Sequence, residues 1–286
     1  MIKQLTIIGV GLIGGSLAQA LKSAGAVGEI VGTGRDAQHL QRALALGVVD
    51  RIELDPAVAV QGADVVVVAT PVGAVEAVFR AIAPQLVPET ILTDVGSTKA
   101  SVVAAARAAF GELPANFVPG HPIAGTEQSG VEASFAELFE NRRVILTPTE
   151  KSAPEAVAKV RAMWEQAGAE VVQTNIEHHD EVLAATSHLP HLLAFSLVDT
   201  LATLDDKQEI FEYAAGGFRD FTRIASSDPE MWHDICLHNE PALLKMLERF
   251  EADLDKLRQA IADNNSAYLL QVFTRAKAAR DQFCDD

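Results

Sequence analysis

Cysteine is nearly absent from this chain: 286 residues hold two, Cys236 and Cys284. Thiols so few and so far apart exclude a disulfide framework and a thiolate-rich zinc site. They suit a reducing compartment, so a cytoplasmic protein is expected. Positive charge is scarce too. Lys and Arg number 23 against 39 Asp and Glu, a formal net charge of −16. Such an anion is repelled by phosphate backbones and acidic headgroups, which argues against nucleic acid and membrane as partners and leaves room for a local cationic pocket. By eye no apolar run approaches the ~20 residues of a membrane span. The opening MIKQLTIIGVGLIGG lacks the charged region, apolar region and cleavage site of a signal peptide, so it reads as mature structure. Apolar residues make up 49%. At about 150 residues per domain the length fits two domains or one large one, with core enough to need no covalent staples.

The first 173 residues alternate short β-rich runs with helical stretches. Gln4–Gly9, Glu29–Thr33, Asp64–Thr70, Thr90–Val95, Arg143–Thr147 and Glu170–Gln173 are strand candidates. Leu12–Ala24, Val72–Ile82 and Lys99–Ala109 read as helices between them. The run DVVVVAT at Asp64–Thr70 is apolar almost throughout, as in a strand covered on both faces. The alternation predicts an α/β fold, a Rossmann-type doubly wound, mostly parallel sheet. From residue 174 to 286 strand candidates give way to an all-helical domain. Within it Leu243, Leu247, Phe250, Leu254, Leu257 and Ile261 step by 4, 3, 4, 3, 4. That seam of period 3.5 faces either the domain's own core or a second subunit, and a homodimer through the C-terminal helices is expected.

Gly9-Val10-Gly11-Leu12-Ile13-Gly14 is a G-x-G-x-x-G between a strand candidate and a helix candidate. That context marks a dinucleotide site. Gly9 permits the tight turn, Gly11 lets a pyrophosphate approach, and Gly14 lets helix and strand pack closely. The N–H groups at Leu12 and Ile13 open the helix toward the phosphates. The carboxylate that grips a ribose 2′-hydroxyl is due about 20 residues on. Position 34 is glycine, flanked by Thr33 and Arg35. A hydroxyl and a cation there favour NADP. Asp36 two residues on keeps NAD open.

Chemistry is expected at the carboxyl ends of the strands. Thr70-Pro71 is one such end, a cofactor edge. Asp94-Val95-Gly96-Ser97-Thr98-Lys99 is another, where Ser97 reads as a helix N-cap, a substrate contact, or both. Gly120–Glu127 is the next strand end, where His121, between Gly120 and Pro122, reads as fixed in a turn. It is either a structural loop histidine or a base, since an ordinary imidazole pKa near 6.5 suits taking a hydroxyl proton as hydride leaves. In Ser187-His188-Leu189-Pro190-His191 nothing completes a metal set, so no metal is expected and polar groups facing a cleft are. His178-His179 reads as a solvated helix start. Arg219 and Arg223, four apart after Gly216-Gly217, share a helical face, as a carboxylate clamp or as surface ion pairs.

Taken together, Ile7–Ala18 (IIGVGLIGGSLA), Asp94–Lys99 (DVGSTK), Gly120–Gly130 (GHPIAGTEQSG), Ser187–His191 (SHLPH) and Gly216–Trp232 (GGFRDFTRIASSDPEMW) resemble the prephenate/arogenate (cyclohexadienyl) dehydrogenases of tyrosine biosynthesis. The motifs lie in the family's order and span nearly the whole chain. The resemblance implies oxidative decarboxylation of a cyclohexadienol, with hydride passing to NAD(P) and carbon dioxide leaving as the ring aromatises. It implies that His121 polarises the hydroxyl, that Ser97 bonds nearby, and that Arg223 binds a substrate carboxylate. It places His191 and His188 in the substrate cleft, Thr126, Glu127 and Asp220 at the site or its gate, and Trp232 beside it. It implies a dimer made by the helical domain. Relatives can carry a mutase or regulatory domain, and this chain is read as having neither, so any feedback would act at the active site.

Two other readings stay in view. A β-hydroxyacid dehydrogenase would use a lysine of the helical domain, yet Lys207, Lys245, Lys256 and Lys277 lie in no such motif. A nicotinamide-sensing regulator would need none of His121, Ser97 and Arg223.

Overall fold

The computed structural model describes residues 1–205 and 207–284, apart from the side chains of Lys207, Phe283 and Cys284. It forms two compact units, Met1–Glu240 and Pro241–Asp286.

The first unit is built on six parallel strands: β1 (Ile2–Ile8), β2 (Val27–Thr33), β3 (Arg51–Glu53), β4 (Val65–Val68), β5 (Ile91–Asp94) and β6 (Phe117–Val118). Their order is β3-β2-β1-β4-β5-β6. All four valines of β4 are buried, because helices cover both faces. Alternate residues feed opposite cores. Leu5, Ile7, Val65 and Val67 pack with Leu17, Leu21 and Trp164 on one side. Ile8, Val66 and Val68 pack with Phe79, Ile82 and Phe117 on the other. Strand order reverses between β1 and β4, and a ligand belongs in the crevice at their carboxyl ends.

The sheet stops at β6. β7 (Gly120–Pro122), β8 (Arg143–Leu146) and β9 (Glu170–Gln173) form a separate three-stranded sheet, with β7 antiparallel to β8. The late strands therefore do not extend the parallel sheet as the alternation implied. His121 sits not in a turn but inside β7, opposite Ile145. Pro122 fits there because β7 is an edge strand, and a residue without an N–H is tolerated where one neighbour is missing.

Helices follow. Ile176–Leu183, a wider π-type turn at Ala184–His188, and Leu189–Ala202 run on without a break. Pro190, which has no N–H to give the preceding turn, stands just after the wide turn. This 27-residue stretch is long and apolar enough to cross a bilayer by length and composition, which the reading by eye missed. Its buried Asp180, His179 and His188 side chains are nonetheless hydrogen-bonded to other parts of the first unit. Shorter helices Lys207–Glu212, Gly216–Thr222 and Pro229–His238 follow in the same unit.

The second unit is a pair of helices, Glu240–Ala262 and Ser266–Cys284, joined through Asn264 at φ 53°. Asparagine tolerates that left-handed backbone. Seam residues Leu254 and Ile261 are exposed, as are Leu270 and Phe273 on the second helix.

Candidate active site

The glycine turn is built by exclusion. Gly9 has φ +99°, and a Cβ there would stand 2.6 Å from the Ala69 carbonyl oxygen, so only glycine fits between the ends of β1 and β4. The Gly9 N–H donates to the Thr33 carbonyl at 2.9 Å. A Cβ on Gly14 would collide with the Gly9 carbonyl, whereas one on Gly11 would meet nothing within 4 Å. Gly11 thus faces open space where the helix Leu12–Ser23 begins. That helix has no side-chain cap and no acid in its first turn. Its leading N–H groups suit a pyrophosphate. Across the crevice, the Thr70 hydroxyl is buried and without a protein partner. The cradle fits a dinucleotide.

At the end of β2 one expectation fails. Thr33 is fully buried, so its hydroxyl is not placed to meet a 2′-phosphate. Its position between β1 and β3 accounts for this. Arg35 is exposed beyond it. The Asp36 carboxylate caps the helix Ala37–Ala45, accepting the N–H groups of Gln38 (2.8 Å) and His39 (3.2 Å). His39 Nε2 lies 2.8 Å from the Val10 carbonyl, a tie to the glycine turn that sequence reading passed over.

Next to the sheet's carboxyl edge lies a buried polar cluster. Asp94, the last residue of β5, accepts the N–H of Gly96 (2.7 Å) and of Gly120 (3.2 Å). Lys99 Nζ donates to Asp94 at 2.5 Å and to the Gly120 carbonyl at 2.7 Å. Both charged side chains are fully buried. They clamp Gly120 from both backbone faces, and His121 follows it directly. Ser97 is half-buried in the turn between them. It does not cap the helix, which starts after Lys99. Instead Asp180 accepts the N–H groups of Lys99 (2.8 Å) and Ala100 (2.9 Å) from a distant element.

His121 Nδ1 lies 2.9 Å from His179 Nε2, and His179 Nδ1 lies 2.7 Å from Asp180 Oδ1. His179 is therefore buried, not solvated; His178 beside it is exposed. A signal for this was present. Ile176, His179, Asp180, Leu183, Ala184 and His188 fall at helical spacing, one stripe facing inward. Asn239 Nδ2 donates to the Asp180 carbonyl at 2.9 Å and lies 3.0 Å from His188 Nδ1.

The cleft residues flank this cluster. His191 stacks on Trp232, ring centroids 3.6 Å apart, and its Nδ1 lies 2.8 Å from the Ser187 carbonyl. His188 Nε2 and Trp232 Nε1 are buried without a protein partner. Arg223 pairs with Glu127, in the loop leaving β7. Helix Gly216–Thr222 ends before Arg223, so Arg219 and Arg223 do not share one regular helical face as the spacing suggested. Thr126, Asp220, Arg219 and Arg223 are all exposed. Among the described residues no group of three or more His, Cys, Asp or Glu could hold a metal.

Burial dominates the electrostatics. It holds His121 well below the ordinary imidazole value, with His179, Lys99 and His188 adding to the effect. Burial also lowers His179, although Asp180 pulls the other way. It brings His188 down to about 4. Burial would raise Asp180, but its bonds to His179, Lys99 and Ala100 more than offset that, and it stays an anion. The linkage has a sign. Above pH 6.5 these histidines are neutral folded or unfolded. As pH falls, the unfolded chain takes up protons first, so stability is lost. For His188 the window runs from 6.5 to about 4, a loss of about 3 kcal/mol. Urea unfolding at fixed subunit concentration is expected to show a falling midpoint across that window, above the range where most carboxylates titrate. An unchanged midpoint would contradict the buried neutral cluster.

The family models, the curated relatives and the solved structures at 30% identity or more fall on one family. The prephenate dehydrogenase nucleotide-binding domain matches residues 17–173, and the prephenate dehydrogenase dimerization domain matches residues 175–275. A cyclohexadienyl dehydrogenase of Zymomonas mobilis is 42% identical over 281 residues, covering 97% of this chain and 95% of the relative. The crystal structure of Aquifex aeolicus prephenate dehydrogenase with hydroxyphenyl propionate and NAD+ aligns with a TM-score of 0.91 at 36% identity, covering 99% of each chain. Synechocystis arogenate dehydrogenase aligns at 0.81 and 30% identity, covering 98% of this chain and 99% of that one. These matches displace both the β-hydroxyacid dehydrogenase and the regulator readings. The chain belongs to the prephenate dehydrogenase family.

Proposed function

We propose that this protein oxidatively decarboxylates prephenate, arogenate or both, passing hydride to a nicotinamide cofactor in tyrosine biosynthesis. When bound, the cofactor's nicotinamide supplies the hydride acceptor. The carbon carrying the ring hydroxyl loses hydride, the hydroxyl proton goes to His121, and carbon dioxide leaves from the opposite carbon. Aromatisation supplies much of the driving force. The proton then returns to the phenolic oxygen, so no net base is consumed. One observation carries this reading: a buried imidazole, bonded through Nδ1, stands in the strand that follows the carboxyl edge of a dinucleotide-binding sheet. Such an imidazole is neutral at pH 7 and ready to accept. Ser97 bonds near the same hydroxyl. Arg223 takes a substrate carboxylate in exchange for Glu127. His191 and His188 line the cleft with Trp232, and Thr126 and Asp220 stand at its mouth.

The division of labour falls at residues 173 and 174, with cofactor held by 1–173 and substrate and dimer contacts by 174–286. Exposed Leu254, Ile261, Leu270 and Phe273 supply an apolar surface for a second copy, and we read the protein as a cytoplasmic homodimer.

Gly9, Gly11, Leu12, Ile13, Gly14, Thr70 and Pro71 hold the cofactor, and NADP is preferred over NAD. Position 34 offers no carboxylate, Asp36 is engaged as a helix cap, and Arg35 is the exposed cation. The test is formation of reduced cofactor from each of prephenate and arogenate with each of NADP and NAD. The expected result is turnover with a higher kcat/KM for NADP, and an Arg35→Ala variant that loses this advantage. No turnover with either substrate would overturn the function. A strong NAD preference would overturn the cofactor assignment alone.

A further inference from the structure

The bond network beside His121 carries a consequence that the motif residues do not contain. A carboxylate only accepts hydrogen bonds. Asp180 accepts the N–H of Lys99 and Ala100 from the start of a helix of the nucleotide-binding half. Its bond to His179 Nδ1, 2.7 Å, then requires the proton to sit on that nitrogen. A neutral His179 protonated at Nδ1 has a bare Nε2. His121 Nδ1, 2.9 Å away, must therefore donate. A neutral His121 protonated at Nδ1 is bare at Nε2, and that lone pair is what takes the substrate's proton. Free imidazole side chains favour the opposite tautomer, with the proton on Nε2, where His121 could not act as a base. Asn239 secures the far end by bonding the Asp180 carbonyl.

We propose that His179 and Asp180 are positioning residues that set the tautomer of His121, with Asp180 held in turn by the backbone at Lys99 and Ala100. Neither touches substrate in this scheme. The pair also serves during turnover. When His121 takes the hydroxyl proton, its Nδ1–H faces a neutral acceptor backed by an anion, which stabilises the imidazolium until the proton returns. Burial keeps His179 itself neutral, as the tautomer argument needs. The proposal rests on His121 being the proton acceptor.

The test pairs kinetics with nitrogen-15 NMR of histidine-labelled protein, which reports which ring nitrogen carries the proton. His121→Asn assigns the His121 signals by their loss. In the wild type at pH 7.5, His121 is expected to be protonated at Nδ1 and bare at Nε2. His179→Leu removes the acceptor. It is expected to shift His121 toward the Nε2–H form and to lower kcat by about tenfold or more while KM stays near wild type. His179→Gln, whose amide oxygen accepts near the Nε2 position, is expected to restore both the tautomer and most of kcat. Wild-type His121 found in the Nε2–H form overturns the proposal, whatever the variants do. So does a folded His179→Leu protein with unchanged tautomer and kcat. If His179→Leu fails to fold, the wild-type spectrum and the Gln variant decide between the same outcomes. An undiminished kcat in His121→Asn would instead overturn the base assignment beneath the proposal, which separates the two failures.

Discussion

Asparagine at position 121 is expected to lower kcat by about 10²–10⁴-fold, the usual contribution of a positioned general base. The substitution is chosen to isolate that contribution. Asparagine is polar and of similar reach to the imidazole's near nitrogen, so a partner for His179 is retained. What disappears is the group that titrates. KM is expected to stay near wild type, because an interaction made only as the proton moves does not contribute to ground-state binding. The pH profile supplies an independent check. His121 must be neutral to act, and its pKa lies well below 6.5, chiefly through burial and then through His179, Lys99 and His188. In the wild type, kcat/KM is therefore expected to rise with pH below 6.5 and to be level at neutrality. In the variant that acid limb is expected to vanish. A variant with unchanged kcat, or one that keeps the same limb, would remove His121 from the proton transfer.

Local chemistry was legible along the chain, and long-range pairing was not. Strand β4 announced itself as four successive valines, and the glycine turn as spacing in context, because each signal lies within a few residues. β7 was missed for the opposite reason. Gly-His-Pro has no strand pattern, and what makes it a strand is β8, more than twenty residues away. Thr33 was misplaced because a residue at a strand end is exposed or buried according to its neighbours. Here β3, which the pattern did not reveal, lies beside it. The candidate site divides in the same way. His121, His191 and Arg223 stood out through motifs. His179, Asp180, Lys99 and Asn239 acquire their roles only where distant elements meet. Asp180 caps a helix that begins 80 residues earlier.

The same logic makes Lys99 the position of greatest structural consequence. Its ammonium is fully buried and bonds two groups, the Asp94 carboxylate and the Gly120 carbonyl. Burial lowers its pKa even though Asp94 and Asp180 oppose the shift, so desolvation is the larger force on this lysine. The ion pair is therefore poor as a net stabiliser and costly to break. Lys99→Met keeps the unbranched stem and strands the Asp94 charge in a fully buried site. The expected loss is about 3–5 kcal/mol, a large share of the about 5–15 kcal/mol that holds a typical domain folded. Urea unfolding at fixed subunit concentration measures it. Adding Asp94→Asn to Lys99→Met removes the stranded charge while leaving an oxygen for a backbone N–H, so the double variant is expected to recover part of the loss. Activity should respond too, since Gly120 loses its donor and His121 is the next residue. A loss below about 1 kcal/mol would contradict a buried, charged pair. A double variant as unstable as the single one would show that the hydrogen bonds, and not the unpaired charge, hold this edge of the sheet together.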